Sequence, residues 1–197
     1  MIQIRVPRSP FRTAGAVLLL VGVIGLAGCA GTTRSTAPQG ASLGSRATLY
    51  SSLNQLVAAS AIIVSGSVTG QAVESADGVD ASPGTVSTFT VTESFSPAGI
   101  ASSLGGETRP SPAKGTAVTI RQFGTPGGAS TGGPLLEPNG RYLLFLNPTS
   151  LPGPAAADYF IVGSDAGIYR ADGDRFVRVS SGGDRLPQSI APAADLK

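Results

Sequence analysis

Between residues 88 and 95 the chain alternates, with Phe89, Val91 and Phe95 on one side and Thr88, Thr90, Thr92 and Ser94 on the other. A period of two is the signature of a strand with one wet face. Ile62, Val64 and Val68 alternate in the same way with Ile63, Ser65 and Ser67, and Val118 and Ile120 alternate with Thr119 and Arg121. Tyr142-Leu143-Leu144-Phe145-Leu146 is apolar on both sides and predicts the most buried strand. Shorter strands are expected near 159–163, 167–171 and 175–179. Asp172-Gly173 signals a hairpin, and Pro138-Asn139-Gly140 a turn into the buried strand. One stretch has helical spacing: Leu49, Leu53, Leu56 and Val57 predict a short amphipathic helix within Ala47–Ser60. Ser52 with Gln55 can cap it, as can the earlier Ser45 or Thr48. This helix is expected to cover part of the 142–146 strand.

Four long gaps, at about 70–84, 96–115, 124–140 and 148–158, are dominated by Gly, Pro, Ser, Thr and Ala, and 181–197 reads as a loose tail. The 27 glycines and 15 prolines argue against a helical bundle and for short strands joined by turns. One helix and about seven strands predict a mainly β fold, a small antiparallel OB-like barrel, because closure removes exposed sheet edges.

The order of features resembles the OB-type barrel of netrin-like and metalloproteinase-inhibitor domains. The matching stretches are Ala61–Gly70, Thr88–Phe95, Val118–Phe123 and Glu137–Leu146, about half of the chain after its leader. Those domains carry disulfides, and the inhibitors act through a free N-terminal cysteine. This chain has a single cysteine, so the resemblance implies the fold and none of the inhibitory activity.

The N-terminus carries the most specific signal. Arg5, Arg8 and Arg12 precede an unbroken run of apolar residues and glycines from Ala14 to Ala27. At about 1.5 Å per residue a helix of that length falls short of the ~30 Å hydrocarbon core, so it fits the apolar region of a signal peptide. Leu26-Ala27-Gly28-Cys29 follows and resembles the lipobox of bacterial lipoproteins at every position. The resemblance implies export, cleavage between Gly28 and Cys29, and acylation of Cys29, with the acyl chains burying in the membrane. Residues 30–46 are small and polar and read as a flexible tether. The expected division is 1–28 signal peptide, 29–46 lipidated tether, 47–180 barrel and 181–197 tail. With no second cysteine, the exported domain must be held by packing alone.

Charge follows this division. Three of the fourteen bases precede the cut, leaving eleven against twelve acids, a net charge of −1. That gives no electrostatic footprint for nucleic acid, and no partner of that kind is expected.

Candidate chemistry is sparse. There is no histidine, which removes the commonest general base and His-containing zinc sites. The Gly-x-Ser-x-Gly matches at Ser42 and Ser130 sit in glycine-rich stretches without the strand and helix of a nucleophile elbow. Ser111-Pro-Ala-Lys114 matches Ser-x-x-Lys, but Gly115 follows at once where a helix is required. Asp165, Asp172, Asp174 and Asp184 lack the spacing of a calcium loop. Glu74, Asp77 and Asp80 read as solvated charge, and Glu93 as the ion-pair partner of an arginine such as Arg121. Tyr142, Phe145, Tyr159, Phe160, Tyr169 and Phe176 fall at strand positions and read as core, with a ligand face as the other use.

No catalytic residue, metal site or cofactor is expected. The sequence points to a non-enzymatic lipoprotein on the extracytoplasmic face of the cell membrane. It is expected to bind an envelope protein, lipid or glycan through its barrel, or alternatively to carry an apolar ligand inside it.

Overall fold

A computed structural model describes residues 48–75, 83–95, 110–128, 133–180 and 182–196, all within one compact unit. The expected signal peptide, the whole of the tether with Cys29 and Ser42, and Ser130, Asp77 and Asp80 lie outside the described residues.

The fold is mainly β. Its elements are α1 (Leu53–Ala58), β1 (Ile62–Glu74), β2 (Gly84–Phe95), β3 (Ala117–Phe123), β4 (Arg141–Pro148), β5 (Tyr159–Ile161), β6 (Ile168–Asp172), β7 (Arg175–Arg178), β8 (Ser189–Ile190) and α2 (Pro192–Asp195). β1 pairs with β2, β2 with β3, β3 with β5, β5 with β4, and β4 returns to β1. This closes a five-stranded OB-like barrel and leaves it without a free edge strand. The barrel is not wholly antiparallel: β3 and β5 run parallel, Ile120 opposite Tyr159 and Arg121 opposite Phe160. β6, β7 and β8 continue as a ribbon from the edge of β4.

The barrel interior is filled by side chains. Ile62, Val64, Val68, Phe89, Val91, Val118, Ile120, Tyr142, Leu144 and Leu146 form one buried cluster, joined by Leu136 from the β3–β4 connection. Gly66 is required where β1 crosses β2. A Cβ there would lie 2.1 Å from the Thr90 carbonyl oxygen and 2.7 Å from the Phe89 ring.

A second cluster lies on the outer face of the same strands. Ile63, Leu143 and Phe145 meet Leu56 of α1, Tyr50, Val162, Tyr169, Leu186 and Ile190. β4 is therefore buried on both faces, as its apolar run requires, and α1 does cover it. The helix is shorter than its apolar spacing suggests. Ser52 caps it by accepting from the Gln55 N–H through its side chain, while the Gln55 side-chain Oε1 accepts from Ser51 N–H at 2.8 Å. Leu49 precedes the cap and is 59% exposed.

Two expectations on the strands are corrected. Ile63 is buried, because the ribbon and α1 give β1 a second apolar neighbour. Phe95 does not share a face with Phe89 and Val91. The register shifts where Ser65 pairs with Glu93 but Gly66 with Val91, so the extra Thr92 turns the alternation over. Phe95 then packs against the outer cluster.

The expected loose tail is also ordered through 182–196. Arg178 in β7 pairs with Asp184 at 2.9 Å, and Tyr50 N–H donates to Asp184 Oδ1 at 2.7 Å. Arg185 N–H returns a bond to the Tyr50 carbonyl, and β8 pairs with β7 at Ile190 opposite Phe176. Leu186 and Ile190 supply the apolar burial that holds this segment down.

Candidate functional site

The β3–β4 connection decides the shape of the barrel's open end. Its described residues form no helix or strand, yet side-chain amides on two strands hold it as a strand would. Gln122 of β3 accepts from Leu136 N–H at 2.9 Å and donates to the Pro134 carbonyl at 3.0 Å. Gln71 of β1 donates to the Leu136 carbonyl at 2.8 Å and to Ser87 Oγ at 3.1 Å. Leu136 is thereby fixed as the plug of the barrel. The turn that follows needs a left-handed residue, supplied by Asn139 at φ 62°, and a glycine. A Cβ on Gly140 would strike the Tyr142 ring at 2.4 Å. The Tyr142 hydroxyl accepts from Glu137 N–H at 3.0 Å and completes the brace.

Beside this braced segment runs a groove of about 470 Å³. Pro134 and Leu135 form one wall, Val177 and Val179 of the ribbon form the other, and Tyr142 and Ile168 also line it. Arg170 of β6 and Glu137 also line it and form an ion pair at 2.8 Å, both side chains more than half exposed. Apolar walls with a few polar groups at the rim, at this volume, are what a ligand site commonly presents.

A second surface feature lies on the outside of the β3–β5 seam. Phe123 is 52% exposed and stacks on Phe160, with ring centroids 5.6 Å apart and 18° between planes. Next to it Arg121 donates from Nε to Asp158 Oδ2 at 2.6 Å and makes a two-pronged pair with the Glu74 carboxylate. Those bonds, to Glu74 first and Asp158 second, raise the Arg121 pKa further above its ordinary value and keep the guanidinium charged.

The sequence-derived candidates distribute as follows. Arg121 is paired with Glu74 and Asp158, so the expected Glu93–Arg121 pair is replaced; the register places Glu93 opposite Ser65, toward the other end of β2. Glu74 is an ion-pair partner and not simply solvated. Ser111–Lys114 lies in an extended segment ending in a turn, with no helix to place the lysine over the serine. Asp172 and Asp174 sit at the β6–β7 hairpin, Asp165 accepts from Ser180 Oγ at 2.5 Å, and Asp184 is buried against Arg178. Among the described residues no three His, Cys, Asp or Glu side chains are grouped so as to hold a metal ion. Of the aromatics, Tyr142, Phe145, Tyr159 and Tyr169 are buried, Phe176 packs against the outer cluster, and Phe160 is the one that joins the exposed stack.

Comparison with protein families, with curated proteins and with solved structures finds no match to this chain. Among the described residues no helix is long and apolar enough to cross a membrane.

Proposed function

We propose that the protein is a lipid-anchored lipoprotein of the cell envelope that acts without catalysis, by binding an envelope component through the surface of its barrel. The observation that carries the binding reading is the groove beside a filled barrel. The interior is occupied by side chains, including the Leu136 plug, whereas the adjoining groove is open and its wall is held rigidly by Gln71, Gln122 and Tyr142. A preformed wall spares a ligand the cost of ordering it. The same packing favours a surface site over an apolar ligand held inside. Anchoring rests on Leu26-Ala27-Gly28-Cys29 behind the apolar run. Two acyl chains suffice for stable membrane attachment where one is marginal.

The test combines two substitutions in intact cells. Wild type should incorporate a fatty-acid label and sediment with membranes, and Cys29→Ala should lose both. A photocrosslinker at Ala171, in the groove, should capture a defined envelope species, and Val179→Arg at the groove wall should abolish that product while leaving the chain folded. An unlabelled wild type removes the anchor, and a crosslinking pattern indifferent to Val179→Arg removes the groove.

A further inference from the structure

We propose that the Phe123–Phe160 face binds a neutral, hydroxyl-rich sugar ring of an envelope glycan, with Glu74, Arg121 and Ser164 contacting its hydroxyls. This rests on the non-catalytic binding reading above and assigns it a second surface with a defined ligand chemistry.

The face begins with an anomaly of burial. Phe123 is the last residue of β3 and leaves more than half its surface in water, although Phe160 on the neighbouring strand fixes its ring by stacking. The pair flanks a depression of only about 60 Å³, lined also by Arg121, Gln122, Ile161 and Ser164. That is too small to enclose a ligand or to receive a large apolar side chain. It suits a flat ring lying across the surface. The C–H face of a pyranose packs on the electron-rich face of an aromatic ring, combining apolar contact with weak C–H donation.

The polar neighbours select among flat ligands. One guanidinium stands between two carboxylates, so the local charge sums to −1. A phosphate backbone or an anionic headgroup is repelled there. Sugar hydroxyls both donate and accept. They can donate to Glu74, which is about half exposed, and accept from the guanidinium that Glu74 and Asp158 hold in place.

Ser164 adds an independent observation. It occupies the left-handed region at φ 55°, directly after Gly163 at φ 60°. A non-glycine residue adopts that conformation only when its surroundings hold it there. The strained turn places the serine on the depression, and its hydroxyl makes no hydrogen bond among the described residues.

The experiment titrates the full chain, purified in detergent, with hexasaccharides of β-linked glucose and of N-acetylglucosamine, followed by NMR and calorimetry. Choline and a single-stranded oligonucleotide serve as the cationic and anionic competitors. The expected result is saturable binding of at least one hexasaccharide with Kd of about 1 mM or tighter. Phe123→Ala should weaken it at least tenfold, Phe123→Tyr should retain it, and Glu74→Gln should weaken it severalfold. Unchanged far-ultraviolet dichroism shows that each variant is folded. Absence of hexasaccharide binding, equal binding by Phe123→Ala, or preference for choline or the oligonucleotide overturns the proposal. The groove reading is separable, because Val179→Arg should leave the hexasaccharide titration unchanged.

Discussion

Arg178 and Asp184 form an ion pair whose side chains are 1% and 0% exposed. The pair joins β7 to the segment that carries Leu186 and Ile190, and Asp184 also receives the Tyr50 N–H at 2.7 Å. The entry of the chain into the domain and its last strand are therefore tied at one carboxylate. Arg178 donates further to the Gly182 carbonyl at 2.9 Å, while its Nε has no hydrogen-bond partner among the described residues. A buried pair of this kind contributes modestly as a pair, yet it leaves an uncompensated charge when one member is removed.

Asp184→Ala should accordingly destabilise the domain by about 3–5 kcal/mol. Replacing both residues, Arg178→Met with Asp184→Leu, should recover a large part of that loss. Chemical denaturation of the two variants reads the difference. Equal stability of Asp184→Ala and wild type would show that the C-terminal segment does not hold the barrel.

Leu136→Ala should cost about 2–5 kcal/mol, as expected for an emptied core position. Gln122→Ala should cost less, on the order of 1–3 kcal/mol, because a part-buried loop loses two hydrogen bonds. The Gln122 variant should also speed amide exchange at Leu136 more than at Leu144, which lies in the middle of β4. Uniform acceleration at both positions would mean that the amide brace is not local.

Tyr169 is fully buried and donates to the Pro187 carbonyl at 3.2 Å. Burial is the main cause that pushes its phenol up to about 12, from 10.0, with Arg178 opposing and Asp184 reinforcing. Because the folded state holds this proton to higher pH than the unfolded state, the contribution is complete below about pH 10 and is lost as pH rises toward 12. Phenolate absorbance should show one late component near pH 12, absent from Tyr169→Phe. The alkaline loss of stability should shrink in that variant by about 2–3 kcal/mol.

Strand positions were readable because alternation and turn residues are local. Val118 with Ile120 and the doubly apolar run at 142–146 both fall where the pattern puts them. What escaped was set by distant partners. The extra Thr92 that turns Phe95 outward leaves no mark in an alternating sequence. Asp184 looked like one acid in a polar tail because its arginine lies across a turn, and only the pairing of β8 reveals the site as buried. The groove has even less signal. Leu135 and Glu137 of the β3–β4 connection, Arg170 of β6 and Val179 after β7 come from three separate segments, and no spacing connects those segments. The exposed Phe123 was readable as a strand residue, but its stacking on Phe160 depends on the parallel β3–β5 seam.

The central claim is that the protein works from a lipid anchor. Intact mass spectrometry of the chain isolated from membranes tests it most directly, with Cys29→Ala as the comparison. The account predicts a mature chain beginning at Cys29 and carrying a diacylglyceryl group, and a Cys29→Ala chain that is uncleaved at that position and unacylated. A wild-type chain that retains residues 1–28, or begins elsewhere without lipid, contradicts it.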